Sequence, residues 1–191
     1  LQNTAGFYLQ GWPVDAQGQI NSDPSDMTRL RSINVGTVGG AAEKTTRVGL
    51  NANLNNSTEV HADIATYVPG NIADGTFEPD FEITVPVSDS KGAQRNLTVA
   101  FLKSGPNEWH AEVIAPDGVL DNAANGYIQG GTIAFTADGR FDAQYSTILD
   151  ADGNLVVSIG ESGGAGTSWA AAFGADEQDI VFDLSAAAGG L

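Results

Sequence analysis

Apolar and polar residues alternate with a period of two along much of this 191-residue chain, and this pattern limits the folds that the chain can adopt. Successive side chains of a β-strand point to opposite faces, so each alternating segment has one face for burial and one for water. The alternating segments are residues 48–54, 81–87, 97–101, 109–113, 133–135, 155–159 and 180–184. Because no period of 3.6 residues persists along the chain, the pattern predicts an all-β fold with almost no helix.

The segments between these runs predict short hairpins. Several of them place Asp shortly before Gly; Asp can cap its own turn and Gly accepts a positive φ. The predicted hairpin tips are residues 15–18, 89–92, 137–139 and 150–153. Pro86 has no N–H to give to a neighbouring strand, so we expect its strand to lie at a sheet edge or to carry a bulge. The one helical signal, at residues 23–27, is long enough for a single turn.

The charge and the cysteine content exclude several classes of function. The chain has 8 Lys and Arg against 24 Asp and Glu, which gives a net charge of −16. A nucleic-acid binder needs a basic surface, so we expect no nucleic-acid partner. Acidity also argues against anionic lipid, and the longest apolar run, residues 169–173, is far shorter than the roughly 20 residues of a membrane span. With no Cys, the chain has no disulfide, no thiolate metal site and no cysteine nucleophile.

Residues 160–164, Gly-Glu-Ser-Gly-Gly, are similar to the Gly-Asp-Ser-Gly-Gly loop that carries the nucleophile of chymotrypsin-like serine proteases. A serine hydroxyl becomes nucleophilic when an imidazole lies within hydrogen-bond reach and an acid supports that imidazole. The chain has only two histidines, His61 and His110, and His61 lacks the Ala-Ala-His-Cys context of those proteases. A Gly/Ser loop is therefore the favoured interpretation of Ser162.

A calcium loop is a second candidate. Oxygen ligands alternate at Asp150, Asp152 and Asn154, as they do at the start of such a loop. Gly153, however, stands at the fourth position instead of the sixth. A hairpin tip explains the same residues, so the turn is favoured over the bound ion.

Carboxylate pairs and aromatic rings offer further candidates. Five acids could pair as in a glycoside hydrolase, and solvated surface charges explain them as well. These acids are Glu108, Asp117, Glu161, Asp176 and Glu177. A sugar-binding platform could form from Trp12, Trp109 and Trp169, although Trp109 alternates with core-facing residues. His110 falls on the polar face of its segment, so we expect an exposed histidine there. We predict no catalytic residue, no metal site and no cofactor.

Residues 3–13, Asn-Thr-Ala-Gly-Phe-Tyr-Leu-Gln-Gly-Trp-Pro, resemble a signature in the middle region of the bacterial flagellar hook protein family. Other strings resemble the inner and outer domains of that family in the same order along the chain. They are Asn-Leu-Asn at 53–55, Asp-Ser-Lys-Gly at 89–92, Phe-Leu-Lys at 101–103, Asn-Glu-Trp at 107–109 and Gly-Thr-Ile-Ala-Phe at 131–135. Residues 55–80 form a longer segment than a minimal member of the family needs.

The resemblance implies two β units. Residues 1–57 would be part of an incomplete inner β domain, and residues 58–191 an outer domain of sandwich or barrel-like form, with a connecting segment at about 58–80. The helical terminal segments through which family members polymerise have no counterpart here, and the chain begins at Leu1 rather than Met. We therefore expect an excised piece of a longer protein.

The resemblance also implies a mechanical function without catalysis. Family members self-assemble into the hook, a curved extracellular tube attached to the basal body of the bacterial flagellum, which serves motility as a universal joint. The implied partners are other copies of the subunit, the flagellar export apparatus, the hook cap and the hook-filament junction proteins. An extracellular β-sandwich module that binds calcium or carbohydrate remains the alternative.

Overall fold

The computed structural model describes residues 7–8, 10–12, 28, 30–32 and 42–184. The chain divides into two compact units, Leu1–Ala41 and Ala42–Leu191. In the first unit, strand β1 (Gln10–Gly11) pairs antiparallel with β2 (Arg31–Ser32). The turn predicted at 15–18 and the helical turn predicted at 23–27 lie outside the described residues.

The described part of the second unit consists of strands, turns and a few short helices. The strands are β3 (Arg47–Gly49), β4 (Phe81–Ser88), β5 (Gln94–Gly105), β6 (Glu108–Ile114), β7 (Leu120–Asp121), β8 (Tyr127–Ala134), β9 (Asn154–Ile159), β10 (Ser168–Trp169) and β11 (Gln178–Asp183). Three-residue 3-10 helices lie at Ile64–Thr66, Ala124–Gly126 and Ala171–Phe173. Among the described residues there is no α-helix, and no helix could cross a membrane. The all-β prediction is confirmed.

Two sheets build the second unit. β4, β5, β6 and β8 form an antiparallel sheet in that order, and β3, β11 and β9 form a second sheet. In the second sheet β11 runs parallel to β3 and antiparallel to β9. β7 and β10 form a separate two-stranded ladder. One hydrophobic cluster combines side chains of both larger sheets, so these sheets pack as a sandwich.

The core of the sandwich is the one that the alternation predicts. Its fully buried side chains include, from the four-stranded sheet, Leu97, Val99, Phe101, Trp109, Ala111, Val113 and Ile133, and, from the three-stranded sheet, Leu155, Val157, Ile159, Ile180 and Phe182. Each is at most 2% exposed. Burying one large apolar side chain contributes about 1.5–3 kcal/mol, so this cluster is the main source of stability.

The alternating segment 48–54 is a strand for only part of its length. β3 ends at Gly49, and the N–H of Leu50 makes one more bond, to the carbonyl of Asp183 at 3.0 Å. Because β11 also ends at Asp183, the chain beyond Leu50 has no partner strand in the described residues. Leu50 and Leu54 are nevertheless buried, so the expected strand is wrong beyond residue 49 although the expected burial holds.

Pro86 lies in β4, at an edge of the four-stranded sheet, as predicted. Two positions later, Ser88 bonds sideways to Thr45: Thr45 N donates to Ser88 O, and Ser88 N donates to Thr45 Oγ1, both at 2.9 Å. Backbone groups alternate in direction along a strand, so Pro86 also faces the open edge, where its missing N–H breaks no ladder bond.

Residues 61–77, which we call the strap, cover part of the outer face of the four-stranded sheet. Ile72 and Phe77 of the strap are buried against Ala100 and Leu102 of β5 in a hydrophobic cluster distinct from the sandwich core. β5 is therefore buried on both faces at this point. The strap falls within the predicted connecting segment at about 58–80, and the division into domains at residue 57 stays a prediction.

Candidate functional site

Ser162 holds two loops together. Its hydroxyl oxygen accepts a hydrogen bond from Ala175 N at 2.8 Å, and its N–H donates to Ala175 O at 2.9 Å. The two histidines contact the strap instead: the His61 ring packs on Phe77, and the His110 ring stacks on Tyr67. The described residues thus give Ser162 no imidazole partner, and the nucleophile interpretation lacks its base.

Asp150 closes a turn. Its Oδ1 accepts the N–H of Asp152 at 2.9 Å and the N–H of Asn154 at 2.8 Å. The hydrogen bond from Asn154 N is the main reason that the pKa of the Asp150 carboxyl lies below its ordinary value. The described residues contain no group of three or more His, Asp or Glu side chains suited to a metal ion. The geometry therefore agrees with a turn at 150–153, but β8 ends at Ala134 and, among the described strands, β9 pairs only with β11, so this turn is not the tip of a hairpin between two paired strands.

The acids considered as catalytic pairs lie on different elements. Glu108 begins β6, Asp117 precedes β7, Glu161 follows β9, and residues 176–177 precede β11. Glu108 Oε1 accepts a hydrogen bond from the hydroxyl of Ser104 at 3.0 Å. This contact is that of an acid that stabilises local structure.

Two of the three tryptophans belong to the core. Trp109 is 2% exposed and Trp169 is fully buried, as the alternation predicts for Trp109. Neither ring offers a face on which a sugar could stack, and Trp12 lies in the first unit. An aromatic platform built from Trp109 and Trp169 is therefore excluded.

A cleft of about 410 Å³ opens beside Trp109. Its walls come from residues 53–56, Asn107, Trp109 and residues 135–139. Behind it, the buried Lys103 Nζ donates to Asn56 O at 2.6 Å and to Asn56 Oδ1 at 2.9 Å. The ammonium also lies 5.2 Å from the centre of the Trp109 ring. These bonds attach the chain at residue 56 to the end of β5.

A buried carboxylate lies under the strap. Glu112 of β6 is fully buried, and its Oε1 accepts hydrogen bonds from Tyr67 Oη at 2.6 Å, Gly70 N at 2.8 Å and Ile72 N at 3.3 Å. Oε2 accepts the N–H of Ala73 at 3.0 Å. The strap thus supplies four donors to this carboxylate, three at Oε1 and one at Oε2.

The aromatic neighbours of Glu112 are held in their neutral forms. Burial, followed by the hydrogen bond to Glu112, raises the pKa of the Tyr67 hydroxyl. Burial and the nearby Glu112 charge raise the pKa of Tyr127. Burial lowers the pKa of His110, against the opposing charges of Glu108 and Glu112. The His110 ring stacks on Tyr67 with centroids 4.1 Å apart, so the site is built to hold the strap on the sheet.

The sequence pattern does not predict a role for Glu112. It occupies the polar position between Ala111 and Val113 in an alternating strand, where a glutamate is normally solvated. The available signal was the unusual length of segment 55–80, which requires something on the sheet to hold it. His110, expected to be exposed, is half-buried because the same strap covers it.

A second buried acid fastens the hairpin between β4 and β5. Asp89 is fully buried; its Oδ1 accepts the N–H groups of Lys91 and Ala93, both at 2.9 Å. Its Oδ2 lies 3.0 Å from Arg95 Nη2, and the Arg95 guanidinium stacks 3.5 Å from the centre of the Phe173 ring. The predicted hairpin tip at 89–92 also docks on the loop before β11, since Asp176 N donates to Ser90 Oγ at 2.8 Å.

Three comparisons with known proteins agree. Residues 53–189 match the family described as flagellar basal body protein FlaE D2 domain. The flagellar hook protein FlgE of Caulobacter vibrioides is 29% identical in an alignment 333 positions long, which covers 100% of this chain and 56% of that protein. A solved 32 kDa fragment of the flagellar hook protein FlgE from Caulobacter crescentus has a TM-score of 0.56 and 38% identity, over 66% of this chain and 47% of the fragment.

The chain therefore spans little more than half the length of its full-length relative. The family match covers most of the second unit, including the four-stranded sheet, β9 and β11 of the second sheet and the strap, whereas β3 lies before it. Because all three comparisons agree with the resemblance found in the sequence, this chain belongs to the flagellar hook protein family, and its residues 53–189 form a FlaE D2 domain.

Proposed function

We propose that this chain is part of a structural subunit of the bacterial flagellar hook, the curved tube that transmits motor torque to the filament as a universal joint. The family match over residues 53–189 carries this proposal. The described contacts support it, because Ser162, Asp150 and Glu112 all use their polar groups to hold neighbouring backbone. Such a unit bears load and performs no bond chemistry.

The proposal includes the partners and the location of the subunit. Its main partner is another copy of itself in the tube, outside the cell. The other proposed partners are the export apparatus, the hook cap and the hook-filament junction proteins. A chain without Cys suits export in an unfolded state, since no disulfide can trap it on the way.

Contacts between outer domains of neighbouring subunits are expected to be polar and weak. The half of the four-stranded sheet outside the strap presents Glu82, Thr84 and Asn96 to solvent. The Thr84 and Thr98 hydroxyls bond to each other at 2.9 Å across the strands. A polar surface with a net charge of the same sign on every copy makes contacts that part easily when a bent tube rotates.

Single cysteines can test this function on intact cells of a strain that carries the gene. Asp152 lies at an exposed turn, whereas Val157 of the neighbouring strand is fully buried. We expect a membrane-impermeant fluorescent maleimide to label D152C cells at short curved structures where filaments join the cell. V157C cells are the matched control and should stay at the background of the parent strain.

Deletion of the gene provides an independent test. Cells without it should be non-motile and should lack hooks in electron micrographs, and the intact gene should restore both. Normal hooks in the deletion strain, or D152C protein found only inside cells that swim, would contradict the proposal.

A further inference from the structure

The strap bonds mainly to itself. Its backbone N–H groups donate within the segment, for example from Tyr67 to Ile64, from Asp74 to Gly70 and from Phe77 to Asn71, at 2.9–3.0 Å. Its two ends meet where the His61 and Phe77 rings pack edge-on with centroids 4.9 Å apart. A loop with closed ends and internal bonds has the character of a compact Ω-loop.

The hydrogen bonds from the strap to other described residues converge on one side chain. Tyr67 Oη and the N–H groups of Gly70, Ile72 and Ala73 all donate to the Glu112 carboxylate. The remaining attachment is apolar and aromatic, through the small cluster beneath Ile72 and Phe77 and the stacking of Tyr67 on His110. The strap can therefore leave the sheet by losing the Glu112 bonds and these side-chain contacts, without breaking a bond between strands.

The sheet beneath Glu112 is shaped for this carboxylate. Gly130 of β8 is paired with Glu112 in register, and a Cβ at Gly130 would lie 3.2 Å from Glu112 Cγ and 3.1 Å from Tyr127 Oη. Glutamine at position 112 would keep the shape but present an NH₂ donor to one of the strap's own donors. Two facing donors cannot bond, so the variant removes at least one attachment.

We infer that residues 61–77 open from the sheet as one unit while the sandwich stays folded, and that the Glu112 carboxylate is the latch of this movement. Proteins open locally in contiguous units whose cost is below that of global unfolding. Here the unit is delimited by the ring contact of His61 with Phe77, and opening exposes Ala100 and Leu102. The inference goes beyond the proposed function and does not depend on it.

Native-state hydrogen exchange of the 191-residue chain tests the latch. In the parent protein, the amides of Gly70, Ile72 and Ala73 should exchange with a common opening free energy, below that of the amides at Val99 and Ala111. In E112Q these three should exchange about ten- to a hundredfold faster, the change expected when a buried acceptor is lost, while the sheet amides keep their rates.

E108Q is the matched control, because Glu108 lies on the same strand and face and bonds to Ser104 outside the strap. It should leave the strap amides at parental rates. Y67F removes one donor and retains the carboxylate, so a smaller acceleration of the same three amides is expected, and it provides the test if E112Q does not fold. Equal opening free energies for strap and sheet amides in the parent, or unchanged strap rates in a folded E112Q, would overturn the inference.

Discussion

At the scale of single residues, position 126 requires glycine because its surroundings leave no space for a Cβ. It lies at φ +73°, directly before β8, and its carbonyl accepts the N–H of Ala115 at 2.9 Å. A Cβ at this position would stand 1.9 Å from the carbonyl oxygen of Ala115. Gly118 has a nearly equal φ of +77° but open space around it. A comparison of Gly126 with Gly118 therefore separates the energetic cost of the backbone conformation from the cost of the steric contact.

We predict that G126A destabilises the protein by about 2–5 kcal/mol, the sum of the costs of a left-handed conformation and of a clash with fixed backbone. G118A should cost only about 1–2 kcal/mol, since it incurs the conformational cost alone. Urea unfolding followed by tryptophan fluorescence measures both. Equal losses in the two variants would mean that the contact with Ala115 relaxes without cost.

His110 predicts a pH dependence. Burial lowers its pKa in the folded state, while in the unfolded chain it titrates near 6.5. The unfolded state therefore takes up a proton first, and the free energy of unfolding should fall as the pH drops below this value. H110F keeps a ring to stack on Tyr67 but cannot be protonated.

The check is the free energy of unfolding of the parent and of H110F between pH 7 and pH 5. H110F should show the flatter profile over this range, because it lacks the imidazole that takes up a proton. If the two profiles run parallel, His110 does not contribute to the slope.

Residue-level prediction succeeded where chemistry is local. The prediction of a turn at Asp150 holds because its hydrogen bonds go to amides two and four residues away. The role of Glu112 depends on amides about 40 residues earlier in the sequence. The alternation alone predicts a solvated side chain at this position. The partners of Ser162 could not be predicted for the same reason, since Ala175 reaches it only through the fold.

At the scale of elements, the β4–β5 hairpin depends on Asp89. Its carboxylate is fully buried with Arg95 and two backbone N–H groups. D89N should lower stability by about 2–4 kcal/mol, because Arg95 keeps its charge and loses its partner.

D176N is the matched control for this pair. Asp176 is 70% exposed and lies 3.6 Å from Lys91 Nζ on the same hairpin. Exposed pairs of this kind contribute little, so the loss should stay below about 0.5 kcal/mol. Chemical denaturation measures the free energy of unfolding of both variants. A D89N variant as stable as D176N would contradict a structural role for Asp89.

The sequence could predict the strands that have one buried face and one solvent-exposed face. β4, β6, β9 and β11 lie where the alternation predicts them. β8 begins at Tyr127, six residues before the alternating run, because Gly130 and Gly131 pack against Glu112 and Ile148 and carry no apolar side chain to reveal the strand. The strap has no period at all, since its backbone bonds mainly to itself and its bonds to the sheet go to one carboxylate.

At the scale of the whole molecule, the net charge of −16 predicts a dependence on salt. Like charges repel one another in the compact state, and the Debye length falls to about 10 Å at 0.1 M salt and about 3 Å at 1 M. The melting temperature should therefore rise when NaCl is increased from 10 mM to 500 mM. A melting temperature that stays constant or falls would show that self-repulsion is not significant.

Calcium and magnesium provide a control for the dependence of the melting temperature on salt. Calcium and magnesium at equal concentrations should raise the melting temperature equally if they act by screening alone. An additional rise with calcium would indicate a site of mass-action binding and would support the calcium-module alternative.

The fold class and the family could be predicted at this scale, because the alternation and the quoted strings extend over most of the chain. The pairing of β3 with β11 could not, since it joins segments more than 130 residues apart.

That pairing determines how the second unit responds to stretching. β3 stands near its beginning and β11 near its end, side by side and parallel, with Val181 N bonded to Thr46 O and Leu50 N to Asp183 O. Tension between these two ends would slide the strands lengthwise past each other, so the bonds between them would share the force instead of peeling apart one by one. The place where a pull arrives is thus the place where this domain is mechanically strongest.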